Sequence, residues 1–180
     1  MKRFKILVVA VCLLSATGPN GALAGSKPTS RGHDPKLTPR CHDVDADFKS
    51  ELTTEGCSSA IGLCASGTIK HDHLLRGSMF VTLNDSAPSA GMPASEAPTV
   101  LSVSGERLLT PRRGGTLSAH VIGIGILDPA TGAILMFDEL NLITGGTGRF
   151  AGATGTLQVF GQATGPTTFA GQIHGTICLQ

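Results

Sequence analysis

The chain has no tryptophan and no tyrosine, and only seven phenylalanines among its 180 residues. A sugar-binding platform, which stacks a ring on an aromatic face, has little to build from. No uninterrupted apolar run approaches the roughly 18 residues of a membrane-spanning helix. There is no C-x-x-C pair, which argues against a metal site made from the cysteines. There is no G-x-S-x-G elbow either, and spacing pairs no nucleophile with a base. Charge is sparse and balanced, 14 Lys and Arg against 13 Asp and Glu. Without a basic surface interleaved with aromatics, a nucleic-acid partner is not expected.

What is present begins with a targeting signal. Lys2, Arg3 and Lys5 precede the short apolar run Ile6 to Leu14, and Ala22-Leu23-Ala24 supplies an A-x-A cleavage pattern. Residues 1–24 are expected to be a signal peptide, with a secreted or periplasmic chain starting at Gly25. Cys12 falls inside that signal, preceded by Val11 rather than by the small residue of a lipoprotein signal. Cys41, Cys57, Cys64 and Cys178 remain, an even number that predicts two disulfides in an oxidising compartment. Cys64 opens the first expected strand and Cys178 closes the last. If those strands are antiparallel neighbours, the pairing is Cys64–Cys178 with Cys41–Cys57. The rival pairs Cys57 with Cys64 across a small local loop.

Residues 25–40 are polar and rich in Pro and Gly, and 41–63 are mixed, with room for one short helical turn. The expectation is a flexible or loop-rich segment over 25–56, followed by a single β domain over 57–180. From Cys64 onward, β-branched runs alternate with turn signals about every 10–15 residues. "DPATGA" at Asp128 to Ala133 reads as a hairpin turn, and "ILMFDELNLIT" after it as a strand. No segment carries a capped amphipathic helical stripe. The fold class is therefore all-β, a closed antiparallel barrel of about eight strands, with a two-sheet sandwich as the alternative. Gly123, Gly125, Gly161, Gly171 and Gly175 suit bends and bulges in such strands.

"ITGGTGRFAGATG", Ile143 to Gly155, imitates a dinucleotide-binding fingerprint through Gly146, Gly148 and Ala151. That fingerprint needs a helix after the loop and an acidic residue about 20 positions on. After Gly155 there is no Asp or Glu, and Pro166 interrupts a Gly- and Thr-rich tail. The expected role of Gly145, Gly146, Gly148, Gly152 and Gly155 is a bend between strands, and no cofactor is expected.

"LITGGTGRFAGATGTLQVFG" followed by "FAGQIHGTIC", with "GLCASGTI" upstream, resembles the allene oxide cyclase-like and dirigent-like β-barrel superfamily. It is most similar to small secreted bacterial members, over about Cys57 to Cys178. The resemblance implies an eight-stranded barrel with an apolar interior cavity. Plant members of this superfamily often form trimers, and they cyclise an unstable fatty-acid epoxide or steer the radical coupling of phenols. Their interior catalytic residues do not map onto this chain residue by residue.

Among candidate site residues, His71-Asp72-His73 puts two imidazoles two positions apart, a Zn or Cu grip if the stretch were a strand. "KHDHLLRG" reads better as a solvated bend, and spacing selects no third ligand from His42, His120 or His174. Asp43, Asp45 and Asp47 imitate the start of a calcium loop, but Phe48 and Thr54 occupy the positions that need Gly and Glu. His120 sits in an apolar strand and is expected to be buried. Asp138 and Glu139 are adjacent, so one of them faces the interior. That carboxylate is either a general acid or base, or, as the favoured reading, the ion-pair partner of Arg107 or Arg149 or of a backbone donor. The functional expectation is a small apolar ligand, lipid or phenolic, held in the barrel, with a cyclase-like or coupling-guiding step as a further option and a homo-oligomer as the assembly. The alternative is a non-catalytic structural or interaction module.

Overall fold

A computed structural model describes residues 39–89 and 99–180. Eight runs of alternating inward and outward side chains form the strands. These are β1 (Arg40–Leu52), β2 (Leu63–Lys70), β3 (Gly77–Pro88), β4 (Val100–Pro111), β5 (Leu117–Leu127), β6 (Ile134–Gly146), β7 (Thr154–Ala163) and β8 (Thr168–Leu179). Each pairs antiparallel with the next, and β8 pairs with β1, so the sheet closes into a barrel. The all-β barrel is thus the architecture, and the sandwich is not. The turn at Asp128 and the strand after it lie where the sequence puts them. There the Ala130 N–H donates to the Asp128 carboxylate at 2.8 Å, which with the Thr131 hydroxyl holds that carboxyl below its ordinary pKa. The signal segment, Cys12 and residues 25–38 lie outside the described residues.

The N-terminal boundary needs correction. Residues 40–52 belong to the barrel as β1 and are not loop. Val44, Ala46, Phe48 and Ser50 point inward, while Asp43, Asp45, Asp47 and Lys49 point to solvent. This period of two is a half-buried strand, with acidic residues on its wet face where a calcium loop was imitated. The disulfide pairing changes with it. Cys41 lies opposite Cys178 in the β1–β8 ladder, and these two are bonded. Cys57, in the β1–β2 connection, bonds Cys64 at the start of β2. The expected pairs Cys64–Cys178 and Cys41–Cys57 do not form, because β1 rather than β2 is the neighbour of β8.

The interior is filled unevenly. One half is a dense core that includes Phe48, Ile69, Leu109, Leu117, Phe150, Leu157, Ile173 and Ile177. Three connections converge on that end. In the β2–β3 turn, Asp72 is buried and its Oδ1 accepts from Leu74 N and Leu75 N, each at 2.7 Å, which turns Leu74 and Leu75 into the barrel. The glycine-rich stretch does the same from the β6–β7 side. Gly145 and Gly146 end β6, Gly148 (φ +58°) opens a 3-10 turn over Gly148–Phe150, Gly152 follows, and Gly155 falls at the start of β7. The stretch is a bend between strands, as expected, and it drives Phe150 to zero exposure as a plug. The other half holds the smaller cluster Ala65, Val81, Leu83 and Val121.

Cys41–Cys178 spans a sequence separation of 137 and ties the first strand to the last, whereas Cys57–Cys64 spans only 7. The long bridge removes far more chain entropy from the unfolded state. Replacing Cys41 and Cys178 together by Ser is expected to lower unfolding free energy by about 2–4 kcal/mol. The Cys57→Ser, Cys64→Ser double variant is expected to lose clearly less. Urea denaturation of the two variants side by side checks the order.

Candidate functional site

The sparsely packed half contains a cavity of about 100 Å³. Leu52, Leu63, Val81, Leu83, Val103 and Leu127 line it toward the strand ends, and Phe137 and Phe169 line it where it meets the dense core. The two rings meet edge to face with centroids 5.6 Å apart. The wall is therefore almost wholly apolar. Its charged members are Arg107 of β4 and Glu139 of β6, 3% and 4% exposed.

Arg107 Nη2 donates to Glu139 Oε2 at 2.6 Å across the intervening strand β5. The inward residues of β5 between them are Ala119, Val121 and Gly123. Ala119 lies opposite Arg107, and Gly123 lies opposite Glu139. A Cβ on Gly123 would come within 2.8 Å of the Glu139 Cγ and Cα. The pair is formally neutral, which is how two charges survive in an apolar interior. It is not fully satisfied, however. Arg107 Nε and Nη1 are buried without a partner, as is Asn141 Oδ1 one inward position farther along β6. Nearly all buried polar groups find a partner, so two guanidinium nitrogens without one among the protein's own atoms set Arg107 apart from the rest of the cavity wall.

The other residues singled out from the sequence are not brought to this site. Glu139 is the inward carboxylate and pairs with Arg107, the favoured reading. Asp138 points outward and accepts from Gln158 Nε2 at 3.0 and 3.1 Å. Arg149 is remote from both, and its Nη2 donates to the Leu74 carbonyl. His120 corrects its expectation. It lies on the outer face of β5, 61% exposed, 2.5 Å from Glu106. Both faces of β5 carry apolar residues, so its sequence does not say which is inward. His71 and His73 sit in an exposed bend rather than on one strand face, with His71 at φ +66° and 2.6 Å from Asp47. His174 lies 3.3 Å from Asp45 on the outside of the barrel. Among the described residues, no three metal-ligating side chains gather. No helix among those residues is long and apolar enough to cross a membrane.

Removing one partner of the buried pair strands the other. Arg107→Met alone is expected to cost about 3–5 kcal/mol of stability, and Glu139→Leu alone a similar amount. The Arg107→Met, Glu139→Leu double variant is expected to recover most of that loss, because an apolar pair of similar volume needs no partner. Unfolding free energies for the three variants give the coupling directly.

No protein family matches the chain, and no curated protein matches it. Among solved structures it is similar to a pterocarpan synthase dirigent protein, with a TM-score of 0.33 and 10% sequence identity, over 80% of this chain and 87% of that one. At that distance the likeness assigns no activity, ligand or residue role to this chain.

Proposed function

We propose that the protein is an exported barrel of the dirigent-like or allene oxide cyclase-like kind that binds one small, mostly apolar molecule by a single acceptor oxygen. The observation that carries this reading is the buried Arg107 with Nε and Nη1 unpartnered in an otherwise apolar cavity wall. The two disulfides fit an oxidising compartment, in keeping with export. Size narrows the ligand. Drug-sized molecules occupy about 300–1,000 Å³, whereas a dry apolar cavity of about 150 Å³ takes benzene. At about 100 Å³ the interior is smaller than that, so it suits a short chain or part of a small ring, with the rest reaching out through the mouth. Charge narrows it further. Because Glu139 already neutralises Arg107, a carboxylate ligand would bring an uncompensated charge into the barrel. A neutral phenol or ketone suits the site better, and a cyclase-like or coupling-guiding step on such a molecule would use Arg107 to hold its oxygen.

Titration calorimetry and amide NMR with cyclohexanone, phenol and methylcyclohexane test this. Cyclohexanone and phenol are expected to shift the cavity residues and to bind at least about tenfold more tightly than methylcyclohexane, the worth of a hydrogen bond to a charged donor. The Arg107→Met, Glu139→Leu variant is expected to reverse the preference. Cavity resonances that stay still at millimolar ligand would sink the proposal.

A second reading, a non-catalytic interaction module that self-associates, is favoured by the outer face of β5 and β6. Ile122, Leu142, Leu140 and Ile124 stand there 58%, 53%, 48% and 44% exposed, with Ile122 directly opposite Leu140. Adjacent apolar side chains on one face are the usual seed of an interface. Sedimentation of the wild type as a homo-oligomer, trimeric or otherwise, and of Ile122→Glu, Leu140→Glu as a monomer is the expected result. A wild type that stays monomeric at high micromolar concentration excludes it.

A further inference from the structure

The plugged end of the barrel carries a second feature, made of charge. Lys70 at the end of β2, Arg76 in the β2–β3 connection, Arg112 and Arg113 in the β4–β5 connection, and Arg149 in the glycine-rich bend line one concavity of about 830 Å³. Among the described residues, none of these five cations lies within salt-bridge distance of a carboxylate. Asp72 is the acidic member of the concavity, and it is buried with Oδ1 committed to two backbone N–H groups. The positions of the cations are set by the backbone. Arg112 N donates to the Arg76 carbonyl at 2.9 Å, which holds those two connections side by side. The Arg149 guanidinium is pinned by the Leu74 carbonyl at 2.6 Å and lies 4.6 Å over the Phe150 ring.

The opposite end is the reverse in sign. Glu51, Glu55, Asp85 and Asp128 lie at or near the mouth, and the described residues of its connections hold no Lys or Arg. Among the described connections the two ends thus differ in charge, while Asp43, Asp45 and Asp47 stand on the outer face of β1, with Asp47 opposite Lys70. Solubility asks only for interspersed signs. Five unpaired cations in one hollow repel one another, and a bound anion relieves that repulsion. Four of the five are arginines, whose planar forks meet phosphate oxygens two at a time.

We propose that this concavity binds a phosphate group, held by Arg76, Arg112, Arg113 and Arg149, at the end of the barrel remote from the apolar cavity. The same chemistry is presented by a soluble phosphate compound and by a phospholipid headgroup, and two measurements separate them. In the first, pyrophosphate is titrated into the full chain with melting temperature and calorimetry as readouts, against sodium chloride at equal ionic strength. In the second, the chain is co-sedimented with phosphatidylglycerol vesicles and with phosphatidylcholine vesicles at about 0.1 M salt, where screening acts over about 10 Å. A saturable rise in melting temperature with pyrophosphate alone identifies a soluble ligand, and sedimentation with phosphatidylglycerol alone identifies a headgroup. Arg112→Gln, Arg113→Gln is expected to weaken whichever binding occurs by about tenfold or more, the loss of two charge-assisted contacts. Lys70→Gln, on a strand end outside that turn, is expected to weaken it less, and Glu51→Gln, Glu55→Gln at the other end to leave it unchanged. Binding to neither probe, or binding that survives Arg112→Gln, Arg113→Gln undiminished, overturns the proposal.

Discussion

The ladder between β1 and β8 is the constraint on which the rest of the molecule depends. It runs from Arg40 opposite Leu179 to Glu51 opposite Thr168, with a disulfide near its outer end. Without it the other strands form an open, twisted sheet with two free edges and no inside. With it, every second residue of every strand is enclosed, and polar side chains on that face must find partners there. The buried pair of Arg107 and Glu139 exists only because closure removes both from water. Closure also sets the ends apart. Loops that carry Leu74, Leu75 and Phe150 fill one of them, while the residues turned inward at the other leave space.

Filling one half and leaving the other sparse separates the bulk of the core from the cavity. The dense half supplies most of the buried apolar surface. The sparse half carries the guanidinium of Arg107, whose Nε and Nη1 find no partner among the protein's own atoms. Gly123 is the device that allows it, since any side chain there would press on the Glu139 backbone and Cγ. The plugged end, freed from holding a cavity, presents the arginine-lined hollow outward.

Much of this was legible in the sequence. Turn signals such as Asp128 to Ala133 marked the meander, and the opposite faces of Asp138 and Glu139 followed from strand geometry. The bend at Gly145 to Gly155 was read from the lack of any helix after it. β1 is concealed in the sequence because Asp at every second position looks like loop or calcium ligand, although Val44, Ala46 and Phe48 carry the period of two. The disulfide pairing depends on the same strand, since β1 and not β2 is the neighbour of β8. The face of His120 is ambiguous in the sequence because Ala119 and Val121 on one side compete with Ile122 and Ile124 on the other. Arg107 shares the inward phase of Leu109, but Leu108 is as apolar as Leu109, so nothing local marks the phase. Its unpartnered Nε and Nη1 are a property of the closed barrel, in which β4 and β6 face each other across β5. No single segment encodes them.

The most direct test of the account is the side-chain ¹⁵N signal of Arg107 Nε, followed while cyclohexanone is added to the full chain. A ligand oxygen accepting from that group predicts a saturable shift of the Nε–H resonance and slower exchange with water, in step with the cavity amides. Cavity amides that respond while the Arg107 Nε–H does not would contradict it.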